Sequence, residues 1–182
     1  MGYDHTRAVD YARKALELSP DYAPAWEEIL RSLFALGQDS ALLEAARSYA
    51  SKVTSVSAWE HLGHAQLVAG RDAEAEKTFR HMAEVMTGAS AGRLGLGLAR
   101  LQALDLAGAE QAYRRLADAG DPRLAREGWY GLSWVSGFGG RFREAGLRLD
   151  GAVRIDRRLR DAPDLARALG QSVLWRTLGR GA

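Results

Sequence analysis

The chain has 182 residues, 47% hydrophobic and 26% charged, with a formal net charge of +2 and no cysteine. That length allows one compact domain or a short repeat array, and the composition is too apolar for disorder. The missing thiols exclude disulfides, thiolate catalysis and cysteine-ligated zinc, and the longest uncharged run, the 13 residues Gly128–Gly140, is too short for a membrane helix, which needs about 20 apolar residues.

Apolar periodicity near 3.6 predicts helices over residues 6–19, 23–36, 40–52, 56–69, 72–86, 89–105, 107–119, 122–137, 141–157 and 163–178, with no strand. The opening stretch MGYDHTRAVDYARKALEL lacks the apolar core of a secretion signal. The expected compartment is therefore the cytoplasm, with the periplasm left open. Charge is uneven along the chain. Residues 1–91 hold 9 basic and 13 acidic side chains, and residues 92–182 hold 16 and 10. Arginine supplies 22 of the 25 basic residues.

The helices come in recurring pairs. Trp26, Trp59, Arg93 and Trp129 form one column at spacings of 33, 34 and 36. Three residues on stand Ile29-Leu30, Leu62-Gly63, Leu96-Gly97 and Leu132-Ser133. Gly37, Gly70 and Gly140 form a third column, Ala8, Ala75, Ala109 and Ala145 a fourth, and Phe79, Tyr113 and Leu149 a fifth. In the unit from Trp59 to Phe79 the logic is local. Trp59, Leu62, Gly63 and Gln66 share one helical face, and Ala75, Phe79 and Met82 share another. Gly63 and Ala75 are small enough for close helix crossing. Gly70 can take the left-handed conformation that ends a helix, and Asp72 can cap the next.

These columns resemble the tetratricopeptide repeat, whose pattern is W-x2-L-G-x2-Y, then A-x3-F, then P. ALELSPDYAPAW at Ala15–Trp26 is similar to a junction between two such units, with Pro20 in the proline column. Gln66 departs from the Tyr, Thr54 and Thr87 from the Pro, and the fourth unit lacks both the Trp and the mid-repeat Gly. The resemblance implies an all-α, right-handed α-solenoid of about five helix-turn-helix units forming a single array over residues 1–182. The approximate units are 6–22 (partial), 23–55, 56–88, 89–122, 123–160 and 163–182 (partial). The first unit lacks its first helix and the last its second, so the chain is expected to be cut from a longer array rather than closed by unusual caps. The predicted last helix carries Leu165, Leu169, Val173, Leu174, Trp175 and Leu178, an apolar surface that asks for cover.

The resemblance further implies a non-enzymatic scaffold that binds a peptide or protein segment in a concave groove lined by the first helices. Carried over by position, that lining is Glu27, Arg31 and Phe34; Glu60, His64 and Leu67; Leu94, Leu98 and Leu101; and Tyr130, Trp134 and Phe138. The residues themselves support the last trio, which lies at i, i+4 and i+8 on a stripe separate from Trp129 and Leu132. Glu27 would repel a ligand carboxylate, which argues against the C-termini of heat-shock chaperones. Two alternatives stand beside the scaffold. One is a self-assembling module paired through its end helices. The other is a regulatory or recruiting segment of a larger enzyme or transcription regulator.

The remaining features point to no chemistry. GRLGLG is not a dinucleotide fingerprint and no predicted strand precedes it, so these glycines and those of GWYGLSWVSGFGG read as tight helix packing. His61 and His64 lack a third ligand, so neither a metal nor any other cofactor is expected. Seven arginines between Arg141 and Arg160 read as a solvated face. Few aromatics interleave them, which argues against nucleic acid. No nucleophile motif is present.

Overall fold

The computed structural model describes residues 3–85 and 89–155, and within them every regular element is an α-helix. In chain order these are α1 (His5–Leu18), α2 (Ala23–Ala35), α3 (Asp39–Lys52), α4 (Val56–Val68), α5 (Asp72–Val85), α6 (Ala89–Gln102), α7 (Leu106–Ala117), α8 (Pro122–Phe138) and α9 (Phe142–Ile155). The helix expected over 163–178 lies outside the described residues. The helices group into two compact units, the first ending at Arg71 and the second beginning at Asp72.

In the first unit α1 to α4 pack each on the next. Their starts are chemically marked. Asp4 accepts from the Arg7 amide at 3.1 Å, Ser55 accepts from the Ala58 amide at 3.1 Å, and Pro24 opens the first turn of α2. Ile29, Leu30, Leu33, Leu43, Ala46 and Tyr49 form the centre of its core. The Tyr49 ring stacks on Trp26, with centroids 5.9 Å apart and planes 16° from parallel.

In the second unit α5 to α9 also pack in sequence, and α8 additionally touches α6. Glycine permits this closeness. A Cβ on Gly92 of α6 would stand 2.4 Å from the Ala83 amide nitrogen of α5. One on Gly128 of α8 would stand 2.1 Å from the Ala117 nitrogen of α7. Backbone cannot move aside as a side chain can, so these positions fix how near the helices come. Tyr113 of α7 has its ring between two further glycines. A Cβ on Gly97 of α6 would come within 2.7 Å of it, and one on Gly131 of α8 within 2.2 Å. The ring is 4% exposed, and burial pushes its phenol pKa up.

Four helix ends share one chemistry. Gly37, Gly70, Leu104 and Gly140 all have positive φ, between 61° and 72°. At each, the amide of the following residue donates to a carbonyl five residues back. These bonds are Gln38 to Leu33, Arg71 to Gln66, Asp105 to Arg100 and Arg141 to Ser136, at 2.8–3.0 Å. This is the paired closure that suits glycine. The array's missing glycine is thus replaced by Leu104, in the same backbone conformation. Its turn also explains why α6 stops at Gln102 rather than running to 105 as expected.

A leucine in this region costs about 1–2 kcal/mol because its Cβ crowds the following carbonyl. Leu104 is 61% exposed, so its side chain offsets little of that. Leu104→Gly is expected to raise stability by about 1 kcal/mol in urea unfolding, while Leu104→Ala, which keeps a Cβ, leaves it nearly unchanged. An unaltered or lowered midpoint in the glycine variant would contradict this account.

Candidate functional site

The residues expected to line a groove occupy three kinds of environment. In α2, Glu27 is exposed and accepts from the Ser57 hydroxyl of α4 at 3.1 Å. Arg31 pairs with Glu28, and its guanidinium lies 5.9 Å from the centre of the Tyr3 ring. Phe34 is half-buried at the margin of the first core. These three therefore offer a polar surface with one aromatic edge.

In α4 one member of the trio is buried and two are half-buried. Leu67 is 2% exposed, and it belongs to the core rather than to an open lining. Gln66 and Val68 on either side of it are buried too, so this turn of α4 is enclosed over a wide arc. Glu60 and His64 are half-buried. Burial holds the Glu60 carboxyl above its ordinary pKa. It drives the His64 imidazole down to about 4, with the neighbouring His61 adding to the effect. His61, whose ring is 6.2 Å from that of Tyr49, is lowered by burial and partly restored by Glu27. Among the described residues, no group of three or more His, Asp or Glu side chains is gathered for a metal.

In α6, Leu101 is 5% exposed and packs in the second core with Tyr113 and Leu132. It too is corrected from lining to core. Leu94 and Leu98 are half-buried, and Leu94 leans on the same cluster.

The fourth set differs. Tyr130, Trp134 and Phe138 run along α8 and line an apolar groove of about 690 Å3 together with Phe142, Ala145 and Leu149 of α9. The Tyr130 and Trp134 rings meet edge to face, with centroids 5.8 Å apart at 79°. Phe142 is 76% exposed and Leu149 41%. The α9 side of this groove was missed by a reading confined to first helices. Its signal was present as Phe142, Ala145 and Leu149 at i, i+3 and i+7.

The groove walls are held from behind. Arg148 of α9, with an 11% exposed side chain, donates to Glu110 of α7 at 3.0 Å and to the Leu132 carbonyl of α8 at 3.2 Å. It also pairs with Glu144 at 2.5 Å. Hydrogen bonding from Arg114 first, and then from Arg148, keeps the Glu110 carboxyl below its usual pKa. Arg141 pairs with Glu144 at 2.8 Å. Two members of the arginine-rich stretch are therefore committed to structure, and Arg157, Arg158 and Arg160 lie outside the described residues.

Comparison with solved structures places this architecture. The structure of YrrB, described as a TPR protein with an unusual peptide-binding site, matches with a TM-score of 0.57 over 92% of this chain and 82% of that one, at 15% identity. Sequence comparison finds no matching family model and no matching curated protein. The chain thus has a tetratricopeptide-repeat-like helical fold, recognised through its shape and repeat columns. No helix among the described residues is long and apolar enough to cross a membrane.

The His64 environment has a consequence in acid. Its folded pKa lies below the ordinary 6.5, so the unfolded chain takes up the proton first as pH falls. Stability is then lost progressively from about pH 6.5 towards 4, at no more than about 1.4 kcal/mol per pH unit. Glu60, raised by burial, acts in the opposite direction. Urea unfolding is expected to lose about 2 kcal/mol between pH 7.5 and 5, and His64→Gln to lose less than half of that. Equal losses in both proteins would contradict the assignment.

Proposed function

We propose that the protein is a non-enzymatic interaction scaffold that binds a peptide or protein segment along its first-helix surfaces, with the α8–α9 groove as the principal anchor. The observation that carries this reading is the stripe Tyr130, Trp134 and Phe138, which faces Phe142 and Leu149 across an open apolar cleft. Aromatic anchors offer large contact area and lose little conformational entropy on binding. Packed helices hold them in place beforehand, so the main ordering cost falls on the ligand.

The fold likeness to a protein described as having a peptide-binding site supports the class of ligand. The polar surface of Glu27 and Arg31, with Phe34 beside it, would contribute orientation rather than affinity, because exposed charges are screened. Leu67 and Leu101, being core residues, support the surface without touching a ligand. Glu60 and His64 of α4, and Leu94 and Leu98 of α6, are half-buried.

The test is selection of binding peptides from a displayed library with the wild-type chain, followed by titration against Tyr130→Ala and Trp134→Ala. Each variant is expected to weaken binding about tenfold or more, since loss of a buried aromatic anchor costs upwards of about 1.4 kcal/mol. Undiminished affinity in variants with wild-type helicity would refute the reading.

A further inference from the structure

A three-helix pattern recurs in the two units, and one cleft differs between its two copies. Helices α2 and α3 match α8 and α9 at an offset of 103 residues, through Trp26 and Trp129 and through Gly37 and Gly140. Helix α1 matches α7 at an offset of 101, through Asp4 and Asp105, each of which caps its helix by accepting from an amide.

In the second unit an arginine spans the furrow between α7 and α9. Arg148 of α9 donates to the Leu132 carbonyl of α8 at 3.2 Å and to Glu110 of α7 at 3.0 Å, and it pairs with Glu144 of its own helix. In the first unit Ala45 stands at the position of Arg148 and Ala41 at that of Glu144, while Val9 matches Glu110 and Ile29 matches Leu132. With two alanines in place of that ion pair, the furrow between α1 and α3 stays open as a cleft of about 470 Å3, floored by Trp26, Ile29 and Leu33 of α2. The indole is placed alike in both copies. Trp26 and Ser48 line the cleft, and a Cβ on Gly151, the match of Ser48, would lie 3.4 Å from the Trp129 ring.

The rim of the cleft is charged. Glu17 of α1 and Glu44 of α3 border it from opposite helices, together with Arg13 of α1. All three are exposed, and none of them is ion-paired among the described residues. The two carboxylates outnumber the one guanidinium, so the rim attracts a cation.

We propose that this cleft is a second docking site, which takes an arginine side chain and an apolar neighbour from a segment of another protein. The molecule itself shows the chemistry of the guest, since its second unit fills the matching furrow with a guanidinium of its own. A guanidinium stacks on an indole face and bridges carboxylates in a way that an ammonium does not match, and Trp26, Glu17 and Glu44 supply both kinds of contact. Leu16, Ala41 and Ala45 offer apolar surface for the stem of the arginine and for the residue beside it. The site lies on a face of α2 turned about 100° from Glu27 and shares no residue with the α8–α9 groove. It goes beyond the docking function proposed above and does not require it.

The probe is the blocked tripeptide acetyl-Leu-Arg-Leu-amide, titrated into the nitrogen-15-labelled full chain. The readout is the Trp26 indole N–H, assigned with Trp26→Phe. A saturable shift in the millimolar range is expected. Exchanging the arginine for its neutral isostere citrulline should weaken binding at least about threefold, and so should combining Glu17→Gln with Glu44→Gln, both exposed positions. Ala41→Glu with Ala45→Arg, which copies the second unit, should keep wild-type helicity and lose the probe.

No saturable shift at Trp26, or undiminished affinity in the citrulline peptide or the glutamine variant, would overturn the proposal. A Trp26 shift that grows with protein concentration alone would overturn it in favour of a second copy. Guanidinium ion binding as tightly as the peptide would overturn it in favour of a small cation. Shifts confined to the Trp134 indole would overturn it while sustaining the α8–α9 groove, so the two readings fail separately.

Discussion

Large rings seated on glycine hold the second unit together. The Tyr113 ring can lie between α6 and α8 only because positions 97 and 131 lack a Cβ. Gly92 and Gly128 bring the backbones of consecutive helices closer than any other residue would allow. Interior glycine costs roughly 1 kcal/mol of helix propensity at each position. Overpacking by a single carbon costs about 1–3 kcal/mol, and more where the obstacle is backbone. The contact therefore outweighs the propensity, and the helices tolerate their glycines because the seam demands them.

That spacing determines where the protein is open. When a first helix settles into the preceding pair, it covers the apolar positions behind it, as α8 covers Tyr113 and Leu101. The pair α8–α9 keeps the same apolar pattern with its face exposed. A cleft of about 690 Å3 lined by five large apolar side chains, among them Trp134 and Phe142, is what this pair presents among the described residues. The Arg148 network behind it joins α7, α8 and α9 and resists collapse of the walls. The open cleft is thus a consequence of stacking rather than an addition to it.

Much of the architecture was legible because it rests on residue types with one steric meaning. Trp at a spacing of about 34, Leu-Gly pairs and a turn glycine identify helix pairs without any long-range information. Leu104 was legible only as a gap in the glycine column, since its left-handed backbone is imposed by the turn around it. Leu67 and Leu101 were assigned to an open lining because the resemblance carries a lining over by position, and position does not say which neighbour lies over a residue. Leu101 is buried by packing with residues of α7 and α8, and Leu67 is 2% exposed. The same limit hid Phe142 and Leu149, which lie on α9, outside a lining carried over to first helices only.

The double-mutant cycle between Gly131→Ala and Tyr113→Ala tests the ring-on-glycine seam most directly. Adding the methyl to the native chain is expected to destabilise it by about 1–3 kcal/mol in denaturant unfolding. With the ring removed, the same methyl should cost little or contribute stability through helix propensity, leaving a coupling energy of at least about 1 kcal/mol. Additive effects would show that the ring and the glycine do not meet, and would contradict the packing on which the open groove depends.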